Sequence, residues 1–132
     1  MSVSLLHMIE NRLAAHRPGR PWLRPLMKRS AVALVLQVRE GELHILMIKR
    51  AEREGDPWSG HMAFPGGRMD PGDAHGYAVA LRETHEEVGL DLARQARCIG
   101  RLSDLNARPR RSALGMAVSP FVFRMDRNVH FQ

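Results

Sequence analysis

The stretch from Phe64 to Leu90, FPGGRMDPGDAHGYAVALRETHEEVGL, restricts the fold of this 132-residue chain more than any other part. Pro65, Gly66 and Gly67 end the short strand that Met62-Ala63-Phe64 begins, and RMDPGD reads as a loop. From 74 to 88 the spacing predicts a helix with Asp73 as its N-cap and Gly89 as its stop. Tyr77, Leu81, Thr84 and Val88 form its mostly apolar stripe. Glu83, Glu86 and Glu87 fall at i, i+3 and i+4, off that stripe and on one face. Each like-charge pair at this spacing costs about 0.2–0.5 kcal/mol. Each negative charge near the C-terminal end of the helix dipole costs roughly 0.3–1 kcal/mol more. The crowding makes sense if a hard divalent cation binds these carboxylates.

Around this segment the chain is punctuated irregularly. Leu5, Ile9 and Leu13 predict a short helix over 4–15, followed by RPGRPWLRP, whose prolines forbid a helix and read as an extended linker. AVALVLQV (31–38) is apolar on both faces, as a buried strand is. Gly41 turns the chain, and LHILMIK (43–49) reads as the antiparallel partner. EREGDPWSG is a polar loop. RCIGRLSDL and ALGMAVSPFVFRM read as two further strands around a basic loop. This order predicts a mixed α/β or α+β sandwich rather than a regular doubly wound sheet. The expected organisation is a helix and basic Pro-rich linker at 1–29 and one catalytic domain at 30–132.

Charge and cysteine use narrow the setting. The net charge is +6, and residues 11–29 hold six Arg or Lys and no acid. Arg108, Arg110 and Arg111 add a second basic group. Such loops suit anionic partners, phosphorylated small molecules among them, or simply a solvated surface. AVALVL, the longest apolar run, is far short of a membrane span. The single Cys98 is expected to be a small buried hydrophobe and favours a reducing, cytoplasmic setting. The amphipathic, nearly acid-free SLLHMIENRLAAHR allows a mitochondrial presequence instead. The last apolar strand ends at DRNVHFQ with no covering helix. That predicts either a longer natural chain or self-association, for instance as a homodimer.

The segment 64–90 resembles the Nudix box, the signature of Nudix hydrolases, G-x5-E-x7-R-E-U-x-E-E-x-G-U with U bulky and aliphatic. Gly67 matches the first glycine, and Arg82-Glu83, Glu86-Glu87, Gly89 and Leu90 match the second half. Asp73 stands where the pattern has Glu, eight residues rather than seven separate it from Arg82, and Thr84 takes an aliphatic position. The form F-P-G-G-x-x-D-x-x-D followed by A-L-R-E-x-x-E-E-x-G-L is similar to the coenzyme A pyrophosphatase-like branch. The resemblance implies an α+β (α/β/α) Nudix sandwich: a mixed sheet carrying the box helix, here without a C-terminal helix. It implies hydrolysis of a nucleoside diphosphate linked to another group. Glu83, Glu86 and Glu87, with the Gly66 carbonyl, would bind Mg²⁺ or Mn²⁺. Arg82, beside Glu83, can hold that carboxylate in place, and Glu83 or a loop carboxylate would activate water.

Two features depart from this branch. The upstream pattern L-L-x-x-R-S-x3-R-x3-G-x3-F-P-G-G is degraded in LMIKRAEREGDPWSGHMAFPGG. Ala51 replaces Ser, Gly55 stands at the second Arg, and one extra residue precedes Phe64. Arg50, Arg53, Gly67 and Arg68 remain the candidate substrate contacts, and Trp58 and His61 could line the pocket. Residues 91–132 contain no Glu; only Asp91, Asp104 and Asp126 could supply a downstream carboxylate. ADP-ribose, a nucleotide sugar or a damaged nucleoside triphosphate are the alternative substrates. A catalytically weak domain that binds nucleotide or RNA is the alternative of another class, although nucleic acid is the less favoured partner. His85 is expected to be an exposed side chain and the methionines core filler.

Overall fold

The computed structural model describes residues 2–19, 28–49, 54, 62–70, 73, 75–107 and 116–125. Helix α1 spans Ser2–Ala15, and β1 (Lys28–Arg39) begins the sheet. β2 (Glu42–Ile45) follows, then β3 (Ile48–Lys49), β4 (Met62–Ala63) and β5 (Gly66–Arg68). Helix α2 (Gly76–Val88), the one-turn α3 (Leu92–Gln95), β6 (Ala96–Arg101), β7 (Leu105–Ala107) and β8 (Met116–Met125) complete the described elements. Four of the five strand pairings in the main sheet are antiparallel; the central pair, β1 and β8, is parallel. The architecture is the expected mixed-sheet α+β sandwich.

β1 and β8 are buried along most of their length, which is why both read as continuous apolar runs. The outer edge of β1 is shared. β2 pairs with its last residues, Leu36 to Arg39, and β5 with Ser30 to Val32. That sharing corrects the expectation of one long strand over 43–49. β5 occupies the edge such a strand would need. The chain makes one more bond, from Leu46 N–H to the Val35 carbonyl, and then leaves to pair β3 with β4 in a separate small sheet. The β1–β2 hairpin turns through Glu40 and Gly41 at φ 52° and 78°, the two positive angles of a primed two-residue turn.

The two faces of the sheet carry separate cores. On one, Ala31, Ala33, Val35, Phe121, Phe123 and Met125 pack against Val79 and Ala80 of α2 and against Leu90 and Leu92. Tyr77 lies edge-on to Phe121 and stacks on Phe123, with ring centroids 5.8 and 5.9 Å away. On the other, Leu36 and Val122 pack against Leu6 and Leu13 of α1. The expectation of a bare face beside the last apolar strand is therefore corrected: α1 covers it. Glu10 of α1 ties the helix down through Arg97 of β6 and Arg124 of β8. Burial alone would raise the Glu10 carboxyl, but these two guanidinium groups outweigh it and hold it below the ordinary range.

Smaller expectations are also corrected. Cys98 is exposed, because it lies on the outer strand β6 next to a bulge. Met8, Met47 and Met62 are exposed, while Met125 is in the core. Among the described residues no helix is long and apolar enough to cross a membrane.

Candidate active site

Helix α2 delivers the acidic face, but its rotation differs from the expected one. Gly76, Val79, Ala80 and Thr84 are buried, Tyr77 and Leu81 flank them, and Val88 is exposed. Gly76 sets this rotation: a Cβ there would stand 3.3 Å from the Phe121 ring, so the helix start lies directly on β8. The N-cap is also corrected. His75, not Asp73, caps the helix, its Nδ1 accepting from the Ala78 N–H at 3.1 Å. Asp73 is engaged elsewhere, accepting from the Asp70 N–H at 2.6 Å and from the Arg82 guanidinium. A sequence reading favours Asp as a cap and misses His75, whose ring nitrogen does the same work. Gly89 ends the helix as expected, in the left-handed region at φ 73°, donating to the His85 carbonyl.

Arg82 organises the carboxylates. It bonds Asp73, reaches Glu83 Oε1 at 3.4 Å, and stands 3.9 Å from Asp70 and 4.0 Å from Glu86. One guanidinium thus offsets much of the repulsion on this helix face. The hydrogen bond from the Asp70 backbone, then that from Arg82, lowers the Asp73 carboxyl below the ordinary range; the same bond raises Arg82. With the Asp-for-Glu change and the extra residue in the box, Asp73 meets Arg82.

The glycine pair receives two of the glutamates. Pro65 accepts from Ala33 N–H and Met69 N–H donates to Arg29, so 65, 67 and 69 direct their backbone groups toward β1. Alternation turns the N–H and carbonyl of Gly66 away from β1. The Gly66 N–H points to Glu87 Oε1 at 3.4 Å. Gly67 presents its other side to Glu83: a Cβ there would lie 2.7 Å from Cδ and 2.9 Å from Oε1 of that carboxylate. Glu87 thus faces the Gly66 N–H and Glu83 lies over Gly67, while Glu86 is more exposed beside Arg82. Among the described residues no three acidic, His or Cys side chains stand close enough to cage a metal. The donor set still fits a hard cation, which takes oxygen ligands and, as Mg²⁺, keeps several waters around a few carboxylates.

The remaining candidates are dispersed. Arg68 is exposed, and alternation puts its side chain on the sheet face opposite Gly67 and Glu83. His85 is exposed as expected. Asp104 has a fully buried side chain, held by Arg101 and by Ser119 Oγ at 2.8 Å. Arg50, Arg53, Trp58, His61, Arg108, Arg110, Arg111 and Asp126 lie outside the described residues.

Thr84, at an aliphatic position of the box, is completely buried and its hydroxyl has no hydrogen-bond partner. Thr84→Val keeps the shape and removes that hydroxyl, so stability should rise by about 1 kcal/mol. A urea midpoint that falls instead would show that the hydroxyl is satisfied in solution.

A mixed sheet, a Gly-Gly pair that opens β5 and an acidic helix braced by one arginine stand together here. A sequence profile of the NUDIX domain matches residues 27–129, so this chain belongs to the Nudix family. An uncharacterised Nudix hydrolase NudL of Enterobacter is 36% identical over 106 residues, which cover 80% of this chain and 52% of that protein. A crystal structure of a Caenorhabditis elegans Ap4A hydrolase binary complex matches with a TM-score of 0.63 at 18% identity, covering 80% of this chain and 72% of the other. The Nudix domain of Shewanella oneidensis NrtR, complexed with ADP ribose, matches with a TM-score of 0.58 at 15% identity over 80% and 68% of the two chains. These structures share the fold. The chain spans about half the length, or less, of the curated relatives it matches.

Proposed function

We propose that this chain is a metal-dependent pyrophosphohydrolase of nucleoside diphosphates linked to another group, with coenzyme A or a derivative in its substrate range. The observation that carries this reading is Glu87 standing 3.4 Å from the outward-turned Gly66 N–H with Glu83 lying over Gly67, both at the start of β5. Glu83, Glu86, Glu87 and the Gly66 carbonyl would hold Mg²⁺ or Mn²⁺. When bound, the metal neutralises phosphate oxygens and lowers the pKa of a coordinated water. Water oxygen bonds to phosphorus, the bridging P–O bond breaks with its electron pair going to the leaving phosphate, and a carboxylate takes the proton. Glu83 is the base favoured here. Asp104 is enclosed by Arg101 and Ser119. Arg82 pairs with Asp73 and reaches Glu83 only at 3.4 Å, so it serves the carboxylates rather than touching substrate.

The degraded pattern upstream of Phe64 supports a second reading of the substrate. The box acts on two phosphates and is indifferent to the leaving group, so selectivity belongs to loops such as 51–63 and 104–112. ADP-ribose, a nucleotide sugar or a damaged nucleoside triphosphate then compete with coenzyme A. An intracellular, cytoplasmic setting and a homodimer belong to the same proposal.

The test is a panel of CoA, ADP-ribose, NADH and nucleoside triphosphates with Mg²⁺ or Mn²⁺, products separated by chromatography. Pyrophosphate cleavage that stops on chelation is expected. CoA should be preferred by less than about a thousandfold in kcat/KM, roughly 4 kcal/mol. No cleavage of any compound with either metal would overturn the hydrolase reading.

A further inference from the structure

Arg29 carries a buried polar atom that the site as described does not use. Its Nε is enclosed and has no hydrogen-bond partner, and among the described residues no carboxylate pairs with its guanidinium. Leaving such a charged donor unpaired in an enclosed position costs more than a neutral one would. An oxyanion ligand, which accepts from Nε and an Nη together, removes that cost.

Its place in the sheet fixes what the anion belongs to. Arg29, Ala31, Ala33 and Val35 alternate onto one face of β1, the face that α2 covers from Ala31 onward. Arg29 is the last of this row, just past the apolar core. Its backbone carbonyl accepts from Met69, and Gly67 pairs with Ala31, so Gly67 is its diagonal neighbour on the adjacent strand. Same-face diagonal neighbours lie about 7–8 Å apart, within reach of an arginine side chain. Glu83 rests on Gly67 from this same side. Arg68, by contrast, alternates to the other face. We infer that Arg29 binds a phosphate of the substrate's pyrophosphate, beside the acidic site on Gly67. It is a substrate-binding residue that neither the box nor the upstream pattern marks. This assignment rests on the hydrolase reading for its biological sense, but not for its test.

The test is direct binding of ADP to the full chain without metal, by calorimetry, alongside hydrolysis of the panel above. Arg29→Met keeps the length of the side chain and removes the enclosed charge. ADP affinity should fall at least tenfold in Arg29→Met and be partly restored in Arg29→Lys, while the melting temperature of Arg29→Met stays equal to that of the parent or rises. A role in packing alone would give the opposite pair, a lower melting temperature and unchanged affinity, and would overturn the inference. So would a parent chain with no ADP affinity, even one that hydrolyses a panel compound. If the parent binds ADP through Arg29 yet cleaves nothing, the hydrolase reading fails and this one stands.

Discussion

Gly66→Ala should destabilise the domain by about 3 kcal/mol, the upper end for forcing extra atoms into a packed region. The reason is backbone, not conformation. A Cβ at Gly66 would stand 2.3 Å from the Ala31 carbonyl oxygen and 2.8 Å from Val32 Cα. Neither atom can rotate away, because both belong to β1, which is clamped between β5 and β8. Relief requires separating β5 from β1, which breaks the strand that carries the backbone of the proposed metal site. Gly41→Ala is the contrasting variant. It meets nothing within 4 Å and suffers only from its positive φ of 78°, a cost of about 1–2 kcal/mol. Urea denaturation of both should show the larger loss at Gly66, by about a tenfold change or more in the folding equilibrium. Equal losses would mean that β5 is less tightly fixed to β1 than its register indicates.

Much of this architecture was legible in the residues, for reasons that can be named. β1 and β8 are apolar on both faces because both lie in the middle of the sheet, and such runs are hard to mistake. Gly89 marked the end of α2 because only a residue tolerant of positive φ closes a helix that way. The acidic face was visible as a spacing, but the Gly66-Gly67 pair, expected to end a strand, instead opens β5. What escaped was three-dimensional competition. The strand expected at 43–49 breaks because β5 takes the same edge of β1 from more than 20 residues further along the chain. Local propensity holds no record of that. Asp73 is a better cap than His75 by residue type, yet it pairs with Arg82, nine residues on. The face that was expected to lie bare is filled by α1, a helix far away in sequence. Arg29 read as one of a run of basic residues; only the strand's alternation separates it from Lys28, which is exposed.

Gly67→Ala should do the reverse of Gly66→Ala: keep the fold and lose the activity. The atoms a Cβ would strike here are Cδ, Oε1 and Cγ of Glu83, at 2.7, 2.9 and 3.0 Å. They are the far end of a flexible side chain. Rotating it away costs little stability but moves the carboxylate off the glycine pair. Arg82 cannot hold it back, since its contact with Glu83 is 3.4 Å long and its stronger partner is Asp73. A displacement of about 1 Å in a reacting group is enough to lower turnover about a hundredfold. The full effect of removing the carboxylate should appear in Glu83→Gln, at a hundredfold or more if Glu83 is the base. Gly67→Ala should therefore resemble Glu83→Gln in kcat and in weakened Mn²⁺ binding, while its urea midpoint stays near the parent's. If Gly67→Ala and Glu83→Gln both keep full turnover on a substrate the parent cleaves, the carboxylate over Gly67 plays no part in the chemistry. If only Glu83→Gln is impaired, the carboxylate reaches the metal from the rotated position as well, and the close fit against Gly67 is not what places it.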